Sequence, residues 1–145
     1  MENLKVGVGV GVLVLNENNQ VLLGLRNKDK VKAGSSLRGE GTWTMPGGKL
    51  RYQESFEQAG IRETKEETDL DITNIEVFCF QNDINEYAHY VTIGLKANAY
   101  NGIVKTMEPE TITKWQWFDL DNLPENMYFP SAKCIEKYKE KIFYK

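Results

Sequence analysis

Histidine and cysteine are almost absent from this chain, which carries one His and two Cys among 145 residues. A soft metal centre built from thiolates and imidazoles therefore has little to draw on. Cys79 and Cys134 sit far apart in apolar surroundings and read as small reduced core residues rather than as a disulfide. The single histidine, His89, falls in a strand-like run, where packing or hydrogen bonding is the ordinary role. No apolar run is long enough to cross a membrane, and the start, MENLKVGVGV, lacks a basic region followed by a continuous apolar stretch. The cytoplasm is the expected location. A net charge of −3 and a pI near 5.3 argue against the broad basic footprint that duplex nucleic acid requires. Repeats, linkers and low-complexity segments are missing too. With 41% hydrophobic residues, the chain supports one compact domain over residues 1–145.

What the sequence does have is carboxylate at a telling spacing. From Gly47 to Leu70 it reads GGKLRYQESFEQAGIRETKEETDL, in which Glu63, Glu66 and Glu67 stand at i, i+3 and i+4 and share one face of a helix. Like charges at that spacing repel, and an ordinary solvated helix would gain more from Glu to Lys pairs. A divalent cation converts the repulsion into ligation. Because every ligand is an oxygen, the ion is hard, Mg²⁺ or Mn²⁺ rather than Zn²⁺. Mg²⁺ is commonly shared with substrate phosphates, so the natural ligand is a nucleotide or another polyphosphate.

Gly48, Glu54, Arg62, Glu63, Glu66, Glu67 and Leu70 occupy, without insertion or deletion, the positions of the pattern G-x5-E-x7-R-E-U-x-E-E-x-G-U, where U is a bulky aliphatic residue. On these residues, the Nudix box, the chain resembles the Nudix hydrolases. The six Gly, Arg and Glu positions would coincide by chance on the order of once in 10⁷ starts at average usage. Two positions depart from the pattern, Thr64 for an aliphatic residue and Asp69 for a glycine. Asp accepts a left-handed helix-closing turn less readily than Gly, so this end of the motif fits least well. The resemblance implies an α/β fold, a mixed β-sheet sandwiched between helices. It also implies that Glu63, Glu66 and Glu67 hold Mg²⁺, with Mn²⁺ as the alternative, and that the Gly47 carbonyl is a further ligand. Gly48 then lets the backbone approach the ion or a phosphate. Arg62 is expected to pair with a neighbouring glutamate and hold it in a ligating rotamer.

Along the chain, residues 5–15 alternate Val with Gly and predict a strand with one bulky and one nearly bare face. Tight packing or a close backbone approach would explain the bare face. Asn16 to Asn19 form a turn, and Val21 to Leu25 a second strand ending at Arg26. A basic residue there reaches substrate phosphates in MutT-like enzymes; the alternative is a surface ion pair. Residues 27–42 read as a mobile loop whose Lys28, Lys30, Lys32 and Arg38 are mostly a solvated face. A short strand, Trp43 to Pro46, leads into a helix over about Glu54 to Thr68, with Gln53 a poor cap and Phe56 and Ile61 its chief apolar residues. Strands follow over Ile72 to Asn82, His89 to Tyr100 and Lys114 to Phe118, and Ser131 is expected to cap a last helix with Cys134, Ile135 and Tyr138 inward.

Outside the box, His89-Tyr90-Val91, Met107-Glu108-Pro109-Glu110 and Trp115-x-Trp117 resemble the MutT-like nucleoside triphosphate pyrophosphohydrolases, a subgroup that includes enzymes sanitising oxidised purines. The resemblance implies hydrolysis of a nucleoside triphosphate to the monophosphate and pyrophosphate. Glu66 and Glu67 would serve catalysis, with Glu108 or Glu110 as an extra ligand or general base. Tyr128 and Phe129 either stack on a base or anchor the last helix. Other Nudix substrates, such as ADP-ribose, a dinucleoside polyphosphate or dihydroneopterin triphosphate, stay open, as does a retired, non-catalytic nucleotide-binding module. The expected partner is a small nucleotide, with a homodimer left open and neither duplex nucleic acid nor a membrane involved.

Overall fold

The computed structural model describes residues 4–145; the first three residues of the expected 1–145 domain lie outside the described residues. In chain order the elements are β1 Gly7–Val14, β2 Gln20–Arg26, α1 Lys30–Ala33, β3 Trp43–Thr44, β4 Gly47–Lys49, α2 Phe56–Thr68, β5 Asp71–Ile84, β6 His89–Asn101, β7 Ile112–Asp119 and α3 Phe129–Glu140. They make two sheets where one was expected. The mixed sheet has the order β4-β1-β6-β5, with β1 parallel to β6 and antiparallel to β4; the second, β3-β2-β7, is antiparallel throughout. No helix is long and apolar enough to cross a membrane among the described residues.

The Val and Gly alternation of β1 explains where the layers sit. Val10, Val12 and Val14 join Leu22, Ile72, Leu95 and Ala59 of α2 in one core cluster, while Leu13 joins Val21, Leu23, Cys79 and, from α3, Cys134 and Ile135 in another. Successive residues of a strand face opposite ways, so one strand serves both cores. Cys79 and Cys134 are free thiols buried in the second cluster. The bare face of β1 carries Gly7, against which the Tyr90 ring packs, and Gly9 and Gly11, which border a cavity.

Helix α2 begins later than expected. Ser55, not Gln53, is its cap: the Ser55 hydroxyl accepts the Gln58 N–H, and the Gln58 side chain accepts the Ser55 N–H in return. Nor do Phe56 and Ile61 anchor it, being 37% and 43% exposed. The face against the sheet is made of small residues, Ala59, Gly60, Thr64 and Thr68, with Glu67 among them. They let the helix lie close, so that the carboxylates are carried toward β1 and β4. The doubtful end of the box is well closed: Asp69 takes the left-handed conformation at φ 65°, and its carboxylate pairs with Lys65 at 3.2 Å and Lys105 at 3.3 Å. Those two cations offset the strain that Gly would have avoided.

Two other expectations are corrected. Within residues 27–42, Asp29 accepts the Val31 and Lys32 N–H groups and caps the one-turn helix α1. At the far end, Ser131 is not the cap of α3. That helix starts at Phe129 behind Tyr128 without a side-chain cap, Pro130 supplying the preset first-turn φ, and the buried Ser131 hydroxyl instead accepts the Met45 N–H at 3.0 Å.

Close approach of α2 predicts the effect of bulk at Gly60. A Cβ there would stand 2.6 Å from Leu95 Cδ1 and 3.3 Å from Val12 Cγ2. Gly60→Val should lower the free energy of unfolding by about 2 kcal/mol or more, read from urea denaturation; an unchanged midpoint would mean that the helix is free to shift outward.

Candidate active site

Arg62 organises the charged side of α2. Its Nε and Nη2 donate to the two oxygens of Glu54 at 2.7 and 3.0 Å, Nη1 donates to Glu63 at 2.6 Å, and Nη2 also reaches the Lys49 carbonyl at 3.0 Å. The paired fork holds the Glu54 carboxyl at about 2, through the hydrogen bond from Arg62 first of all. Arg62 thus ties the helix to the β4 segment and fixes Glu63, as the sequence expectation of a pairing with a neighbouring glutamate required. Glu63 in turn lies over Gly48, where a Cβ would come within 2.5 Å of its carboxyl carbon. Only a residue without a side chain fits beneath it.

Glu67 is the unusual member. It is 7% exposed, yet it forms no ion pair among the described residues, and one oxygen accepts the Gly47 N–H at 2.9 Å. Burial pushes its carboxyl well above the ordinary range, the Gly47 hydrogen bond opposes this, and the charges of Glu63 and Glu108 add to it. Burial also raises Glu63 against the pull of Arg62. Glu66 is different: it is exposed and leans toward Arg62 at 3.5 Å and Arg51 at 3.8 Å. Among the described residues no three His, Cys, Asp or Glu side chains are gathered into a closed metal cage. Each carboxylate is instead turned to a protein donor. The donor set nevertheless suits a hard divalent cation, because all ligands are oxygens and a buried carboxylate beside two others has a single backbone donor to compensate it. Glu63, Glu66 and Glu67 would hold such an ion, with Gly47 beside them.

The structure also separates Glu108 from Glu110. The loop before β7 is laced to the end of α2: the Lys105 N–H donates to the Thr68 carbonyl at 2.9 Å and the Met107 N–H to the Glu67 carbonyl at 3.2 Å. This brings Glu108 beside the box, where its charge acts on both Glu63 and Glu67 and where burial and Glu66 raise its own carboxyl. Both glutamates are exposed, but Glu110 is not among the charges acting on Glu63 or Glu67, and its carbonyl accepts the Asn27 side-chain amide at 2.8 Å.

A cavity of about 230 Å³ opens from this carboxylate end. Gly9, Gly11, Gly47, Gly48 and Glu67 border one part of it; Tyr90, Thr92, Leu37 and Tyr128 border the other, with Arg26 also on its wall. Arg26 is buried at 7% exposure, which removes the surface ion pair as an alternative. Its Nε and Nη2 donate to the carbonyls of Gly39 and Ala33, and its guanidinium lies 5.0 Å over the Tyr128 ring. Desolvation lowers its pKa, and no carboxylate pairs with it among the described residues. Tyr128 shares a 3.0 Å hydrogen bond with Ser35. Phe129 does not border the cavity; it packs at a tilt 6.1 Å from Tyr128.

Sequence reading missed the residues from Ala33 to Leu37, along with Tyr90, Thr92 and Lys49, which all border the cavity. The break in the lysine run at Ala33-Gly34-Ser35-Ser36 was the available signal. Lys28, Lys30 and Lys32 are exposed as a solvated face, while Arg38 pairs with Glu40 and stacks 4.8 Å from the Tyr87 ring. His89 bonds Asn82 at 3.0 Å away from the cavity wall.

The NUDIX domain model matches residues 5–138. The chain belongs to the NUDIX domain family. Among curated proteins, this Nudix domain is 30% identical over 120 residues to the NAD-capped RNA hydrolase NudC of Pseudomonas aeruginosa, covering 83% of the chain and 41% of that protein. The RNA pyrophosphohydrolase of Pelagibacter ubique is 26% identical over 165 residues, covering 97% of the chain and 93% of that protein. The chain spans 22% to 41% of the length of the first curated relatives it matches. In three dimensions, a MutT NUDIX hydrolase from Burkholderia pseudomallei superposes with a TM-score of 0.80 at 26% identity, over 91% of this chain and 97% of that one.

The fit of Glu63 over Gly48 predicts that Gly48→Ala, by displacing the carboxylate, weakens Mn²⁺ binding by about tenfold in a spectroscopic titration while the fold persists. Unaltered affinity would separate Glu63 from the ion.

Proposed function

We propose that this Nudix domain hydrolyses a phosphoanhydride bond of a nucleoside triphosphate, releasing the monophosphate and pyrophosphate. The observation that carries the reading is that a buried, ion-pair-free carboxylate, a buried guanidinium and two tyrosines border a single cavity. Their order suits a nucleotide: phosphates between the box glutamates and Arg26, base toward Tyr90 and Tyr128. Arg26 has the chemistry to bind phosphate because its hydrogen-bond partners are neutral carbonyls and no carboxylate pairs with it directly among the described residues.

A bound Mg²⁺ or Mn²⁺ supplies charge neutralisation for the phosphates and makes a coordinated water more acidic. Glu63, Glu66 and Glu67 would hold the ion, and Arg62 keeps Glu63 and Glu54 from collapsing onto other partners. Glu108 receives the proton of the attacking water; its raised carboxyl is a better match for that task than an unperturbed one. Tyr128, fixed by Ser35 and Arg26, presents a face for stacking. Phe129 serves as the anchor of α3. The curated relatives named for RNA favour a second reading, attack on the phosphoanhydride at an RNA 5′ end, against which the chain's net charge of −3 weighs.

The deciding experiment is hydrolysis, with product identification, of a panel of ordinary and oxidised nucleoside triphosphates, ADP-ribose, dinucleoside polyphosphates, dihydroneopterin triphosphate and 5′-triphosphorylated RNA, each with and without Mg²⁺. Preferred release of pyrophosphate from a nucleoside triphosphate is expected. Preference for the RNA end, or no ion-dependent turnover on any member, would overturn the reading.

Glu67→Gln should lower turnover at saturating Mg²⁺ by at least about a hundredfold and raise the melting temperature of the metal-free protein, since it removes a buried charge next to like charges. Near wild-type rates would remove α2 as the metal platform.

Glu108→Gln should lower kcat by roughly 10² to 10⁴ with little change in KM, whereas Glu110→Gln should retain most activity. The reverse pattern in parallel kinetics would transfer the role to Glu110.

A further inference from the structure

Behind the aromatic end of the cavity lies a charged group that the hydrolytic chemistry does not use. Asp83, on β5, is fully buried, and a buried carboxylate persists only when it is fully paired. One oxygen accepts from Lys133 Nζ at 2.7 Å and the other from the Thr92 hydroxyl at 2.6 Å; Gln81 Nε2 donates to both, at 3.1 and 2.9 Å. The neighbouring wall is part of the same arrangement. Gln81 Nε2 also donates to the carbonyl of Pro130, and Lys133 reaches from α3 to the Asn82 carbonyl at 2.7 Å. Pro130 and Thr92 both border the cavity, while Asp83 does not.

The consequence concerns a single proton. A threonine hydroxyl has one hydrogen to donate, and an ionised carboxylate paired with lysine can only accept. The Thr92 hydrogen is therefore committed to Asp83, and only lone pairs remain on its oxygen. The other hydroxyls at this end are not fixed in the same sense: Tyr128 and Ser35 bond each other and Tyr90 donates to Ser36 at 3.3 Å, which leaves one hydrogen of the first pair and that of Ser36 uncommitted. We propose that Asp83 is a positioning residue that sets the polarity of Thr92, making this hydroxyl a fixed acceptor at the aromatic end of the cavity that selects bases presenting an N–H. This rests on the reading of the cavity as a nucleotide site. It adds that a nucleotide is selected by a donor on the edge of its base, by a residue held in place from the second layer.

The test separates base recognition from catalysis by measuring binding of product monophosphates by calorimetry. Adenosine, guanosine and inosine monophosphates carry an N–H on the base edge; purine riboside monophosphate carries none. The best of the three donors should bind about tenfold more tightly than purine riboside monophosphate, the discrimination expected of one well-placed hydrogen bond. Thr92→Val, which keeps the shape and removes the acceptor, should bring that ratio close to one, and Thr92→Ser should restore it. Asp83→Asn offers an amide hydrogen to Thr92 and frees the hydroxyl to turn, so it too should reduce the ratio. Should Asp83→Asn fail to fold, the Thr92 pair decides alone. A preference that survives in Thr92→Val, its absence from the unaltered protein, or no monophosphate binding would overturn the proposal. Base preference without turnover on any nucleotide would remove the hydrolase reading and keep this one; turnover without base preference would do the reverse.

Discussion

The burial of Glu67 is the constraint on which the rest of the site depends. A carboxylate removed from water beside two others is costly unless something compensates it, and against this burial the protein sets one hydrogen bond, from the Gly47 N–H, and the charge of Arg26 across the cavity. Several features of the chain follow from keeping it there. The sheet-facing side of α2 is made of small residues, so the helix can lie close enough to carry Glu67 inward. The helix end is closed by a left-handed Asp69 held between two lysines. The loop before β7 is tied to the Glu67 and Thr68 carbonyls, which sets Glu108 nearby. A site built this way is poorly compensated when no cation is present, which is a physical reason for it to bind one.

The same backbone segments divide the cavity by chemistry. Glycines at Gly9, Gly11, Gly47 and Gly48 keep the floor at the carboxylate end bare, and one of them is overlain by Glu63. Toward the other end the wall becomes aromatic and hydroxyl-bearing, with Arg26 held among carbonyls and over Tyr128. One cavity thus joins a carboxylate-lined part to an aromatic, hydroxyl-bearing one. Two independent polar networks support them, Arg62 with Glu54 and Glu63 at one end and Asp83 with Lys133, Gln81 and Thr92 at the other. Each places its charge behind the surface a ligand would touch, so that the exposed group is oriented before anything binds.

Sequence alone determined the family and the helix that carries the carboxylates, because both rest on spacing within one continuous segment, and helical periodicity converts such spacing into a shared face. It also determined the two-faced strand β1, since alternation of Val and Gly is itself a statement about faces. Tertiary structure decided what depends on distant segments. Nothing near Arg26 in sequence says that its partners are the carbonyls of Ala33 and Gly39 and the ring of Tyr128. That Glu108 lies beside the box carboxylates came from loop hydrogen bonds to α2, and the separation of Tyr128 from Phe129 from the path of the chain into α3. The cap of α3 was misread because Ser131 is drawn into a bond with Met45, 86 residues away. Local pattern specifies which face a residue shares with its neighbours; which partner waits opposite that face is set by packing between segments far apart in the chain, and there the second sheet, the cavity and the Asp83 network were decided.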